Sequence, residues 1–413
     1  MTLLKPLVAA IGTGMLLFAV TPQSPPAKVL RFGHLWDGTK LVDNASVVIE
    51  NNKITAAGAR VTVPRGAEEI DLRTYTAIPG LIDLHTHITY YWDHAEGTTP
   101  LRQGGARRTP VQTADVAFEN ARKTLETGVT TIRDMGGSGG ADYMMRDAVN
   151  SGQKVGPRMF VAGQGLSAPR NATNTTDQWR QIVTMRVEAG SDWIKVYGSR
   201  GSFDSVDTTQ TLTFDDMKAI VDTAHAGHKP VAIHSYGASG VHDAVLAGAD
   251  SVEHGIEVDD ATFKEMVKRG TVWVPTIDHN RYYVDSKDDY KFTDDKIGPL
   301  QEYIQKNFEA TKRAFQLGVK LGLGSDAVFS GFGQNTGELT WFVKAGMTPA
   351  QALGTATTTA AALLGHANDL GKIAPGFLAD IVAVQGEPLK NIQDVITGVK
   401  WVMKDGKVVV DKR

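Results

Sequence analysis

The 413-residue chain contains no cysteine. Disulfides, thiolate metal sites and cysteine nucleophiles are therefore excluded, and any metal must be held by imidazole, carboxylate or a less usual donor. A basic surplus is missing too: 43 Lys and Arg stand against 46 Asp and Glu, a formal net charge of −3. Nothing is left over to neutralise phosphates, which argues against a nucleic-acid partner. Long apolar runs are scarce. The stretch from Leu7 to Val20, behind Lys5 and ahead of Pro22-Gln23-Ser24-Pro25-Pro26, is short for a membrane span and has the form of a secretory signal with its linker. Residues 1–26 are accordingly read as a signal peptide, with a retained N-terminal anchor as the alternative because no Ala-x-Ala cleavage site follows. Export to a periplasmic or secreted location is expected, membrane anchoring being the alternative, with no stable membrane span in the mature protein. Also absent is a Gly-x-Gly-x-x-Gly fingerprint after an early strand, which disfavours a doubly wound dinucleotide fold.

What is present is an ordinary globular composition, 42% hydrophobic and 22% charged, over a length that fits one α/β barrel or two to three smaller domains. Residues 27–76 carry short β-branched runs such as Ser46-Val47-Val48-Ile49 and Arg60-Val61-Thr62-Val63, separated by turn signals. Residues 373–413 have the same texture, with Asp380-Ile381-Val382-Ala383-Val384 and Lys407-Val408-Val409-Val410. Neither end has enough strands to close a core alone, so the two are expected to pair into one small β-sandwich. The inserted middle, residues 77–372, alternates strand and helix, with strands expected at 80–87, 130–135, 158–162, 193–197, 231–234, 251–254, 272–275 and 321–325. Helix starts are marked by Thr213-Phe214-Asp215-Asp216 and Thr348-Pro349-Ala350-Gln351, both capping boxes. Eight strands with intervening helices predict a (β/α)8 TIM barrel.

Barrel chemistry sits at the C-terminal ends of the strands. The first expected strand ends in His85 and His87, two residues apart and so on one face. The fifth ends in His234, the sixth in His254 and the eighth in Asp326, while the fourth carries Lys195 among apolar neighbours. Each has a plain explanation: a satisfied core histidine, a helix cap, a snorkelling lysine. Together they suit a divalent first-row ion, most simply zinc. Burial lowers a lysine pKa. A neutral amine beside two metals can take up carbon dioxide, forming an anionic carbamate that bridges them. A Schiff-base role competes, but leaves the histidines unexplained.

With Ile78–His87 reading Pro-Gly-Leu-Ile-Asp-x-His-x-His, the chain also carries Gly128-Val129-Thr130-Thr131-Ile132-Arg133-Asp134, Ala232-Ile233-His234, Ser251-Val252-Glu253-His254-Gly255, Leu323-Gly324-Ser325-Asp326 and Gly371-Lys372-Ile373-Ala374-Pro375-Gly376. In these motifs and their order it resembles the amidohydrolase superfamily in its binuclear, carboxylated-lysine form, and within it the imidazolonepropionase-related, prolidase-like branch. The resemblance implies two divalent metal ions, one held by His85, His87 and Asp326 and the other by His234 and His254, bridged by N6-carboxylated Lys195. It implies a metal-dependent hydrolase in which a hydroxide shared by the two ions attacks an amide, with Asp326 moving the proton. The substrate class implied is a small molecule: an N-acyl amino acid or dipeptide, with proline or an aromatic residue at its C-terminus. Tyr236 is the candidate donor to the oxyanion or substrate carboxylate, and His279, Tyr197 and Arg170 are further substrate-binding candidates. A lactone, carbamate or organophosphate ester would suit the same centre, and a mononuclear deaminase is the rival class. A homo-oligomer is compatible with the sequence. Where relatives often read His-Ala-His-Gly, this chain has His234-Ser235-Tyr236-Gly237, and where many have Gly-Gly-His it has Leu166-Ser167-Ala168-Pro169-Arg170. Both departures fall where substrate is expected.

Overall fold

A computed structural model describes residues 26–104, 107–137, 139–169, 173–202 and 205–413. Arg170 and, apart from Pro26, the leader segment lie outside the described residues.

The chain begins with β1 (Lys28–Trp36), β2 (Leu41–Glu50), β3 (Lys53–Gly58) and β4 (Glu68–Pro79), and ends with three strands labelled below β13 to β15. Between them run β5 (Leu81–Thr86), β6 (Val129–Asp134), β7 (Arg158–Val161), β8 (Leu166–Ser167), β9 (Ile194–Tyr197), β10 (Val231–His234), β11 (Ser251–Glu253) and β12 (Val272–Val274). The closing strands are β13 (Ile381–Val384), β14 (Val399–Lys404) and β15 (Lys407–Asp411). Strands from both ends share one sheet in the order β15-β14-β13-β4-β1-β2-β3. Its edge at β3 meets the segment leading into β13, through Ile54 N–H to Phe377 O (2.9 Å) and Gly376 N–H to Ile54 O (2.8 Å). The sheet thereby curls over its own core, which holds Phe32, Val47, Ile54, Ile381, Trp401 and Met403. The two-residue period sends Val382, Val384 and Val402 to the opposite face, where they join the apolar core of the barrel. This is the small sandwich built from both chain ends.

The middle of the chain closes into the (β/α)8 barrel. Strands β5-β6-β7 form one parallel arc, and β8 to β12 form another. Asp192 N–H donates to Val161 O (2.8 Å), joining β7 to the entry of β9. The ring is completed by residues 321–325: Gly322 N–H donates to Trp273 O (2.9 Å), and Leu84 N–H to Leu323 O (2.8 Å). With β7 and the two-residue β8 as successive segments of one stave, this is the eighth, registered through isolated parallel bridges at Leu321 and Ala327. Its glycines explain why. A Cβ on Gly324 would lie 2.3 Å from Val274 Cγ1 and one on Gly322 2.5 Å from Leu84 Cδ1, so at these two positions the neighbours leave no room for a side chain.

Helices alternate with the strands. Thr213 and Asp216 cap each other's backbone N–H groups, as do Thr348 and Gln351, with Pro349 opening the second helix. Among the described residues no helix is long and apolar enough to cross a membrane.

Candidate metal centre and active site

A cavity of about 840 Å³ opens at the C-terminal ends of the barrel strands. His85, His87, Lys195, Tyr197, His234, Tyr236, His254, His279 and Asp326 all line it. The expected strands ran one residue too far at several of these ends. His254 (φ 67°), Thr276 (φ 52°) and Asp326 (φ 48°) occupy the left-handed region, and of these His254 and Asp326 line the cavity while Thr276 bonds His254 from behind. Such backbone costs about 1 kcal/mol or more at each non-glycine residue and clusters at functional sites.

Hydrogen bonds fix which imidazole nitrogen faces the cavity. His85 Nδ1 lies 2.8 Å from Glu253 Oε2. Burial alone would raise the Glu253 pKa, but the Arg133 charge and the His85 bond outweigh it and hold the carboxyl at about 2. That carboxylate can only accept, so His85 donates from Nδ1 and presents a lone pair at Nε2. His87 Nδ1 likewise donates to Gly136 O at 3.2 Å. Gly136 packs so closely that a Cβ there would be 2.8 Å from the His87 ring. Gly136 is thus a support for His87.

The facing atoms are short of protons. Asp326 Oδ1 lies 3.3 Å from His87 Nε2 and 3.6 Å from His85 Nε2. Donor atoms of His85, His87 and Asp326 all fall within 4.8 Å of one another, and all three residues are buried. Either an extra proton or a cation must sit among them. Without a cation, burial lowers the His87 pKa but the Asp326 hydrogen bond and charge raise it further, for a net increase. Burial, then the Lys195 charge, push His85 down to about 4 and His234 well below its ordinary range. Both are neutral imidazoles, the form that ligates metal. His234 Nε2 is buried without a hydrogen-bond partner among the described residues, and its ring centre lies 4.5 Å from that of His254. An orphaned imidazole nitrogen beside a three-donor cluster fits a divalent ion.

Lys195 is 1% exposed, with Nζ 3.3 Å from His85 Nε2. Burial lowers its pKa to about 8, against the pull of Glu253 and Asp326. The amine therefore has a neutral fraction near neutrality.

Several supporting residues were not singled out from sequence. Glu253 is salt-bridged to wholly buried Arg133 (2.8 Å) as well as bonded to His85. Thr276 Oγ1 lies 2.6 Å from His254 Nδ1. Buried Glu338 accepts from the N–H groups of Ile277 (3.0 Å) and Asp278 (2.8 Å), capping the helix Ile277–Asp285 that carries His279. His279 Nε2 then reaches Asp326 Oδ2 at 3.2 Å. The sequence offered Arg133 and Glu253 only as charges of opposite sign within two of the expected barrel strands. Tyr236 stacks on His234, with ring centres 5.0 Å apart, and burial holds its phenol protonated. Burial also raises the Tyr197 pKa.

The amidohydrolase family profile matches residues 76–409. Ochratoxinase of Aspergillus niger is 26% identical over 411 residues, covering 88% of this chain and 82% of its own. A solved Xaa-Pro dipeptidase with methionine bound in its active site superposes with a TM-score of 0.83 at 30% identity, over 92% of this chain and 99% of that one. A prolidase complexed with N-methylphosphonate-L-proline does so with a TM-score of 0.83 at 27% identity, over 93% of this chain and 100% of that one. The family profile spans the barrel that gathers these histidines and the C-terminal strands of the sandwich that braces it, and the chain belongs to the amidohydrolase family, as a hydrolase of carbon–nitrogen bonds.

Proposed function

We propose that the protein hydrolyses the amide bond of an N-acyl amino acid or dipeptide, with proline or an aromatic residue on the carboxyl side, at a centre of two divalent ions, most simply zinc. His85, His87 and Asp326 would hold one ion, His234 and His254 the other, and Lys195, carboxylated on Nζ, would join them. When bound, such a pair supplies hydroxide at neutral pH and polarises the scissile carbonyl.

The chain's own residues do the rest. Asp326, 6% exposed, takes the nucleophile's proton and returns it to the leaving nitrogen. His279, against Oδ2 of that carboxylate, keeps it aimed. Tyr236, protonated by virtue of its burial, donates a hydrogen bond to the oxygen that gains charge. The surrounding cavity of about 840 Å³ suits a ligand of dipeptide size.

The observation carrying this reading is the convergence of His85, His87, His234, His254, Asp326 and the buried amine of Lys195 on one cavity. The Xaa-Pro dipeptidase and the prolidase support the amide class by what their names say of them. The test is a screen of metal-loaded protein against N-acyl amino acids and dipeptides, beside a matched panel of lactones, carbamates and phosphate esters. Turnover confined to amides is expected, and turnover confined to esters would overturn the substrate class. Residues 1–26 are proposed to direct export, which N-terminal sequencing of the mature protein would check.

A further inference from the structure

The cavity has two unlike walls. On one side Tyr90, Tyr283 and Val328 belong to an apolar cluster that also holds Tyr282, Tyr290 and Phe329. The other lining comes from residues 198–202 and 205–211, two arms that follow β9 and pair antiparallel, with Val206 packed against the same cluster. Ser199 bridges Gln210, Arg200 N–H donates to Thr209 O (3.0 Å), and Thr211 N–H donates to Gly198 O (2.8 Å). This wall is polar, with Ser199, Ser202, Thr209 and Gln210 lining the cavity.

The first arm is pinned to the site on both sides of Arg200. Ser199 Oγ accepts from Tyr236 N–H at 2.9 Å. Gly201 lies against the Tyr236 ring, where a Cβ would be 2.0 Å from Cδ2, so only glycine fits there. Between these anchors Arg200 lines the cavity with an exposed side chain. It makes no side-chain hydrogen bond or ion pair among the described residues, and its field is felt at Asp207, whose carboxyl is held low chiefly by Thr209. Lys195 is the other lysine or arginine among the described lining residues, and it is buried at the cavity floor. A free guanidinium presents a planar fork that matches a carboxylate.

We infer that Arg200 is a specificity-determining residue that receives the C-terminal carboxylate of the substrate, leaving the acyl side to lie along Tyr90, Tyr283 and Val328. This rests on the amide-hydrolase reading above and goes further: it selects substrates with a free carboxylate and an aryl or long alkyl acyl group.

The experiment measures benzoate release by the metal-loaded full chain from N-benzoyl-L-phenylalanine and from its C-terminal amide, in wild type and in Arg200→Ala, Arg200→Lys and Arg200→Glu. Wild type should prefer the acid. In Arg200→Ala that preference should fall by about ten- to a hundredfold, the range of a charge-assisted hydrogen bond, with the loss in KM rather than kcat. Arg200→Lys should recover part of it, and Arg200→Glu should favour the amide. An acid-to-amide ratio unchanged in the Ala and Glu variants would overturn the assignment. Should wild type release benzoate from neither compound, calorimetric titration of the same two compounds decides the Arg200 question separately from the amide-hydrolase reading. Acid-selective binding lost in Arg200→Ala supports the assignment, and binding without that selectivity overturns it.

Discussion

Replacing Glu253 with glutamine keeps the side chain's shape and removes its charge. In the native protein Oε1 receives Arg133 Nη2 at 2.8 Å and Ser251 Oγ at 2.5 Å, while Oε2 receives His85 Nδ1 at 2.8 Å. Both Glu253 and Arg133 are 0% exposed. A glutamine oxygen can serve one side only, and its NH2 group then confronts a donor on the other. Arg133 would be left as a buried cation supported by Leu84 O, Ser251 Oγ and the face of Trp193 (4.4 Å). Breaking a buried pair in this way costs about 3–5 kcal/mol, a large share of the roughly 5–15 kcal/mol that holds a typical domain folded. The urea midpoint should fall accordingly, and Arg133→Met/Glu253→Gln should recover part of the loss because no unpaired charge remains. Removing the carboxylate that orients His85 should also weaken zinc binding by about 10–100-fold in competition titrations. The pH dependence has a definite sign. The fold lowers the Glu253 pKa from 4.5 to about 2, so the stabilisation is complete above pH 4.5 and is lost as the pH falls towards 2. This acid limb should be missing in the glutamine variant. A single variant as stable as wild type, with unaltered zinc affinity, would refute the reasoning.

Lys195→Ala should lower metal content, measured by elemental analysis, with partial rescue by short carboxylic acids that can occupy the carbamate's place; unchanged occupancy would show that the lysine is no bridge. Asp326→Asn should reduce kcat by about 10²–10⁴-fold, the usual worth of a positioned acid–base group, with metal largely retained, and near-normal turnover would remove its proton-transfer role. In Gly136→Ala the new methyl lies within 2.8 Å of the His87 ring. Metal affinity should drop while the far-ultraviolet circular dichroism spectrum is preserved, and wild-type affinity would show that His87 has room to yield.

The strands of the barrel were legible because apolar runs bounded by Gly and Pro recur with helical patterns between them. Lys195 was legible for the opposite reason, as a charge where the pattern demands an apolar residue. The chain-end sandwich followed from too few strands at either end to bury a face alone. What could not be read depends on distance in three dimensions. Glu253 meets Arg133 across 120 positions of sequence, and no local pattern announces such a partner. The left-handed turns at His254, Thr276 and Asp326 carry no glycine and so leave no signature of conformation. The arm bearing Arg200 was also opaque, since its shape comes from pairing with Thr209 and packing on Tyr236. Among the cavity's sequence candidates, Arg170 lies outside the described residues.

On the reading proposed above, six side chains grip two ions, one of them a carboxylated lysine set between the pair. Anomalous diffraction from zinc-loaded crystals, recorded at the metal edge, tests it most directly. Two peaks per chain are predicted, one beside His85, His87 and Asp326 and one beside His234 and His254, with density for two extra oxygens beyond Lys195 Nζ. A single peak with an unmodified lysine would contradict it and favour a mononuclear enzyme.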